Sequence, residues 1–263
     1  MFEFAEDTSY LMPAHFGGSP LGSYTYADVT TIGVSYRTDR AALSQYMPGC
    51  FEITDPVVEI GYAMNRGVEW MAGGSYNLVA VQVPVQYRHG RESITGAYAL
   101  VVWEGKATPI LGGREQTGIP KIFADVADAH QIGDRLFGNV SYEGSTFLRV
   151  DVRKTQAYSA TELADVNAHG AHLNWFGWRY IPNVGRCGAA LNHPTLYPID
   201  YSHRAAWRAE GTVDWQALTW EQNPSQAHII EALAQLPIEE YVSCGVTVGS
   251  QVIRVENARE LSW

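Results

Sequence analysis

Over most of its length the chain alternates apolar with polar or small residues at a period of two. That spacing puts every second side chain on one face of a β-strand. Val29 to Arg37 has this character, as does Val57 to Met64. After a Gly73-Gly74 turn the alternation is plainest, with Val79, Val81, Val83 and Val85 marking one face of a strand from Tyr76 to Tyr87. A His89-Gly90-Arg91 turn leads to a strand over Gly96 to Trp103. Ala127 to Gly138 and Asn139 to Arg153 read as a hairpin or two, and Val242, Cys244, Val246 and Val248 mark a long final strand.

Helical spacing is confined to short stretches. Asp39, or Thr38, caps a helix from Arg40 to Met47 whose Ala41, Leu43, Tyr46 and Met47 share a buried side, and Pro48-Gly49 stops it. Asn223-Pro224 opens a second, with Ile229, Ile230, Leu233 and Leu236 at amphipathic spacing before Pro237. Between about residues 160 and 223 no period dominates. The tryptophans there (Trp175, Trp178, Trp207, Trp215, Trp220) line a pocket or a subunit interface, or simply pack a core. Many strands, two or three helices and no βαβ rhythm predict an α+β, predominantly β fold. The expectation is an antiparallel or mixed β-barrel-like domain with a few helices packed outside.

Composition narrows the picture. Nothing in the 263 residues resembles a linker, so one domain over 26–263 is expected, preceded by an arm over 1–25 rich in Gly, Pro and Ser, laid over the body or a neighbouring subunit. A formal net charge of −10 disfavours nucleic acid and acidic membranes as partners. Cys50, Cys187 and Cys244 are widely spaced and suggest neither a disulfide framework nor a zinc ribbon. The acidic N-terminus and the lack of a membrane-length apolar run point to a cytoplasmic protein. His169-Gly-Ala-His172 has the spacing of two ligands on one helical face, but a single pair is weak evidence and no metal is expected. No Gly-x-Ser-x-Gly elbow and no glycine-rich phosphate loop occurs, so neither serine hydrolysis nor a nucleotide cofactor is implied.

The stretch with chemistry in it is Gly112-Gly113-Arg114-Glu115-Gln116-Thr117-Gly118-Ile119-Pro120-Lys121, read as a loop-to-helix segment with glycines that let the backbone turn or approach a ligand. Three lysines face fifteen arginines in this chain, and Lys121 has the least polar neighbours of the three. A desolvated lysine loses its proton more readily and becomes a Schiff-base nucleophile toward ketones and aldehydes. The alternative is a lysine whose stem lies on apolar surface while its head reaches water.

Gly-Arg-Glu, four residues, then Pro-Lys resembles the acetoacetate decarboxylase family, whose Schiff-base lysine closes this motif. Tyr36-Arg37-Thr38-Asp39, Glu52-Ile53-Thr54-Asp55-Pro56 and Leu236-Pro237 also match its pattern. The resemblance covers nearly the whole chain, with a divergent region between about 155 and 225. It implies a cone-like β-barrel holding Lys121 inside, no cofactor, and a small carbonyl or keto acid substrate; a homo-oligomer is expected. Three departures stand out. The family's second lysine is Ile122 here, its substrate-binding arginine falls at Val29, and its pocket carboxylates fall at Gly61 and Leu78. The implied substrate is therefore bulkier or less polar than acetoacetate, handled by a decarboxylase or related C–C lyase. A Schiff-base aldolase or dehydratase, or a binding protein that kept the fold, are the rival readings.

Several neighbours are candidates for supporting roles. Arg114 either grips a substrate carboxylate or ties down its loop. Glu115 either shuttles protons during imine formation or pairs with Arg114. Glu59, two residues from Gly61 and hence on the same strand face, either supplies the missing carboxylate or lies exposed. Gln116, Thr117 and Tyr76 are unranked hydrogen-bonding candidates for substrate.

Overall fold

The four valines of the plainest strand are each fully buried, and they sit in the larger of two apolar cores. Their strand is one of a long series, and the computed structural model describes residues 3–19, 21–169 and 171–263. The first half holds β1 (Ser23–Arg37), α1 (Arg40–Ser44), β2 (Phe51–Ile53), β3 (Val57–Val68), β4 (Gly74–His89) and β5 (Glu92–Glu104). Helix α2 (Ala107–Thr117) leads into β6 (Lys121–Phe123) and β7 (Asp125–Val126). Two hairpins follow, built from β8 (His130–Ile132), β9 (Arg135–Tyr142) and β10 (Ser145–Ala157). Next come α3 (Ala160–His169), β11 (His172–Pro182) and the 27-residue β12 (Ala189–Trp215). Helix α4 (Ala227–Ala234), β13 (Glu240–Arg254) and β14 (Arg259–Glu260) complete the chain.

The sheet closes on itself. Neighbours run β11-β5-β4-β3-β1-β13-β12, and β12 pairs again with β11, making a ring of seven strands. All contacts in the ring are antiparallel except the β11–β5 pair, and β6 joins β5 in parallel, so the barrel is mixed. Strand β12 is long enough to serve both the ring and the β10–β9 extension. Closure leaves an inner face carrying Val29, Ala63, Ala80, Ala99 and Val102, and an outer face whose apolar residues pack under the helices.

Helix α1 is capped by Asp39, whose carboxylate accepts from Ala42 N at 2.7 Å. Its buried side is narrower than expected: Leu43 is fully buried and Met47 packs on the core beyond the helix end at Ser44, whereas Ala41 and Tyr46 are exposed. In α4, Ile230 and Leu233 fill the outer core together with Leu236 beyond its end. Asn223 caps the turn before this helix by accepting from Gln226 N at 3.1 Å. Gln226 in turn accepts from Trp103 Nε1 and donates to Phe123 O, both at 2.8 Å, which pins the end of β6. Among the described residues no helix is long and apolar enough to cross a membrane.

Candidate active site

The glycine-rich stretch does not begin a helix; it ends one. Residues 112–117 form the last turns of α2, Gly118 closes it in the left-handed conformation (φ +70°), and Lys121 opens β6. A left-handed C-terminal residue is where glycine is favoured, since a side chain there meets the following carbonyl. The turn is docked on β12, where Thr195 Oγ1 donates to Thr117 O at 2.7 Å. Arg114 donates to the carbonyl of Lys121 itself at 3.0 Å, so of its two candidate roles it occupies the tying one.

Lys121 points into the ring. Its side chain is 7% exposed, and Nζ lies 2.9 Å from Oε1 of Glu104, which is wholly buried. Nζ also donates to Pro109 O at 3.3 Å. Beyond the contact with Lys121 neither oxygen of Glu104 has a hydrogen-bond partner among the described residues. Burial pushes the Glu104 carboxyl above its ordinary range, and the neighbouring Lys121 works against that rise.

Glu104 reaches the inner face because β5 is bulged. Ala97 and Ala99 face inward, but the register against β4 slips between Gln82–Ala99 and Val81–Val101. Past the slip Val102 and Glu104 face inward, while Val101 and Trp103 join the outer core. A bulge inserts one residue and re-aims every side chain after it. Glu104 was not among the residues singled out from the sequence. Strict alternation from Ala99 puts it on the wrong face, and the expected strand stops one residue short of it.

Two cavities meet at Lys121. The inner one, about 270 Å³, lies within the ring and is bordered by Val29, Gly61, Tyr76 and Leu78. The outer one, about 600 Å³, lies between α2 and the N-terminal arm, with Gln116 and Thr117 on its helical side and Ser9, Leu11 and Ser19 on its arm side. Tyr197 of β12 borders both. Tyr26 and Tyr76 share a hydrogen bond of 3.1 Å between hydroxyls, and Trp70 Nε1 donates to Tyr26 at 3.2 Å. Burial, with the Tyr26 hydroxyl and the Glu104 carboxylate adding to it, pushes the Tyr76 and Tyr197 phenols well up, so both are neutral hydrogen-bonding groups.

The other candidates are dispersed. Glu115 does not reach the lysine: its carboxylate accepts from Met12 N at 3.2 Å and so fastens the arm to α2. Gln116 does the same through Ser9 Oγ at 3.0 Å. Thr117 Oγ1 is satisfied by Gly113 O at 2.8 Å. Glu59 stands across from Gln82 on β4, which borders the inner cavity and donates to it at 2.8 Å. It lies one rung from Gly61, on the side away from Glu104, and among the described residues no hydrogen bond or ion pair links it to Lys121. His169 ends α3 while His172 begins β11, so the two do not share a helical face; the His169 side chain is outside the described residues. His172 is held by Asp200 at 2.7 Å and Asn174 at 3.1 Å. Of the tryptophans, Trp175 borders the inner cavity, Trp215 packs on Trp103, and Trp220 is exposed.

The site is thus a closed mixed β-ring with a buried lysine–carboxylate pair in its wall and a cavity on each side of the amine. The chain belongs to the acetoacetate decarboxylase (ADC) family, whose profile matches residues 11–252. It is 26% identical over 236 residues to an acetoacetate decarboxylase of Burkholderia cenocepacia, covering 89% of this chain and 87% of that one. Against acetoacetate decarboxylase 3 of Mesorhizobium japonicum the identity is 28% over 237 residues, covering 89% and 84%. In fold it is similar to the acetoacetate decarboxylase of Legionella pneumophila (TM-score 0.76, 20% identity, 92% and 88% covered). It is similar too to the enduracididine biosynthesis enzyme MppR complexed with pyruvate (0.73, 16%, 98% and 99%). An acetoacetate decarboxylase-like enzyme from Sphingomonas wittichii shares the fold as well (0.70, 19%, 98% and 100%).

Proposed function

We propose that Lys121 condenses with the carbonyl group of a keto acid or related carbonyl compound, and that the protonated imine drives cleavage of a neighbouring carbon–carbon bond. The observation that carries this reading is the 2.9 Å contact between Lys121 Nζ and Glu104 Oε1 at the meeting point of two cavities. Transfer of the ammonium proton to Glu104 frees the lone pair for attack on the carbonyl carbon. The same proton, returned to the carbinolamine hydroxyl, lets water depart and leaves a protonated imine. The imine nitrogen then takes up the electron pair of the bond that breaks, giving an enamine. Protonation of the enamine at carbon, followed by hydrolysis, releases the product and restores the amine.

Loss of carbon dioxide is the first reading. Among the described residues Lys121 is the one Lys or Arg side chain bordering either cavity. A substrate carboxylate there loses hydration and gains no cation beyond the protonated imine itself, and departure as neutral carbon dioxide relieves that cost. Aldol-type cleavage is the second reading, favoured by Glu104 as a carboxylate beside the imine able to act as base. MppR, a fold neighbour, is known in complex with the condensation product of pyruvate and imidazole 4-carboxaldehyde.

The test is borohydride reduction with a panel of keto acids, ketones and aldehydes, read by intact and peptide mass. A single substrate-sized adduct on the peptide holding Lys121 is expected, absent in Lys121→Arg. Adducts confined to Lys106 or Lys154 overturn the proposal. Glu104→Gln then separates the two chemistries: an aldol-type enzyme should lose on the order of 10²–10⁴-fold in turnover, whereas a decarboxylase loses chiefly the rate of imine formation.

A further inference from the structure

The inner cavity contains polar atoms that no group among the described residues answers. Asn65 on β3 is fully buried and borders the cavity, yet among the described residues neither its Nδ2 nor its Oδ1 has a hydrogen-bond partner. Trp175 Nε1, on the same cavity, is also buried and unpartnered. Buried amides in folded proteins are almost always answered by protein, ordered water or ligand, because an orphaned one forfeits its hydration for nothing.

The strand register locates Asn65 relative to the reactive amine. It stands between Val29 on β1 and Tyr76 on β4. The next rung is Ala63–Leu78–Glu104, the one that holds the carboxylate beside Lys121. Two residues along a strand span roughly 6.6–6.8 Å, so a substrate bound to Nζ reaches Asn65 with its next few atoms. Val29 offers no polar atom, and the Tyr76 hydroxyl is engaged with Tyr26.

Charge decides what Asn65 can recognise. The one ammonium on the cavity among the described residues already faces Glu104, and a second carboxylate one rung away would be buried without a cation of its own. A carboxamide carries no net charge and offers both donors and an acceptor. Its best partner is a neutral group that also donates and accepts.

We infer that Asn65 is a specificity-determining residue that reads a neutral donor–acceptor group, a carboxamide or a hydroxyl, on the part of a carbonyl substrate that does not leave. The inference rests on the imine-forming reading of Lys121 for the placement of that substrate.

Three methyl ketones of matched length supply the test: levulinamide, levulinate and methyl butyl ketone. Borohydride trapping in the wild type should half-saturate at a roughly tenfold lower concentration with levulinamide than with levulinate. Asn65→Leu and the near-isosteric Asn65→Asp should each erase that preference while leaving methyl butyl ketone little changed. Because trapping requires the imine, calorimetry with valeramide and valerate, which have no ketone, runs alongside. If no ketone is trapped, the imine reading falls, and an Asn65-dependent preference for valeramide still upholds this inference. Equal handling of amide and acid in both sets overturns it, as does a preference for the acid. So does an amide preference that survives both substitutions, since Asn65 is then a structural residue satisfied by buried water.

Discussion

At Gly113 a missing methyl group decides where the Lys121 amine sits. A Cβ there would stand 2.4 Å from Cδ, 2.5 Å from Cε and 2.9 Å from Nζ of Lys121. The position is inside α2, where alanine is ordinarily favoured over glycine by about 1 kcal/mol. Gly113→Ala should therefore keep or slightly raise the melting temperature while pushing the lysine away from Glu104. Borohydride trapping should fall on the order of 10²-fold, the scale of loss from misplacing a reacting group by about an ångström. Trapping rate and melting temperature measured on one preparation check both halves, and wild-type trapping would show that the lysine stem has another path. Gly112 is the internal comparison: a Cβ there meets nothing closer than 3.9 Å, so Gly112→Ala should gain the helix stability with a far smaller effect on trapping. In sequence the two glycines are indistinguishable, and both suggest a turn. Only the return of β6 beside the helix separates them.

Elements whose two faces differ were legible, and those without that contrast were not. Strand β4 alternates cleanly because its valines enter the outer core while Leu78, Ala80 and Gln82 border the cavity. Strand β12 is buried continuously from Pro194 to Ile199, which removes the alternation a reader relies on. The bulge in β5 is worse for prediction, since it reverses the faces in mid-strand and hides Glu104, the partner of the lysine. Lys121 was singled out by its apolar neighbours and by the motif, and the structure buries it. Glu59 was open in the sequence between an inward carboxylate and an exposed one; the structure half-buries it against Gln82, and that environment has a measurable consequence. Burial raises its carboxyl above the ordinary range, partly offset by the hydrogen bond from Gln82 on the neighbouring strand. The folded state then holds the Glu59 proton more tightly than the unfolded state, so this group makes stability fall as pH rises from the unfolded value through the folded one. Each unit of elevation corresponds to about 1.4 kcal/mol. Glu59→Gln keeps an acceptor for Gln82 and removes the proton. Its melting temperature should gain on the wild type as pH is raised from 4 to 7, and a difference independent of pH would show that Glu59 is solvated as in the unfolded chain.

For the whole molecule, closure of seven strands makes a room whose size is set by small residues and whose charge is set by one pair. Gly61, Ala63 and Ala80 border the inner cavity beside the lysine, and a Cβ at Gly61 would meet only Thr31 Cγ2 at 4.0 Å. Acetoacetate leaves most of such a space unfilled, and among the described residues no arginine borders it for the carboxylate to meet. A β-keto acid with a longer or aromatic tail buries more apolar surface for the same imine. One methylene in an apolar pocket is worth roughly 10–200-fold in selectivity, so such a substrate should exceed acetoacetate in kcat/KM by at least that much. Gly61→Val adds volume inside the ring without a backbone clash. It should cut kcat/KM for the bulky acid while sparing acetoacetate, so that the ratio moves toward the smaller substrate. Carbon dioxide release from matched substrates measures that ratio directly. Acetoacetate turnover at roughly 1–10³ per second, with a ratio unmoved by Gly61→Val, would mean that the inner cavity is not where the substrate tail lies. The outer cavity under the arm would then hold it.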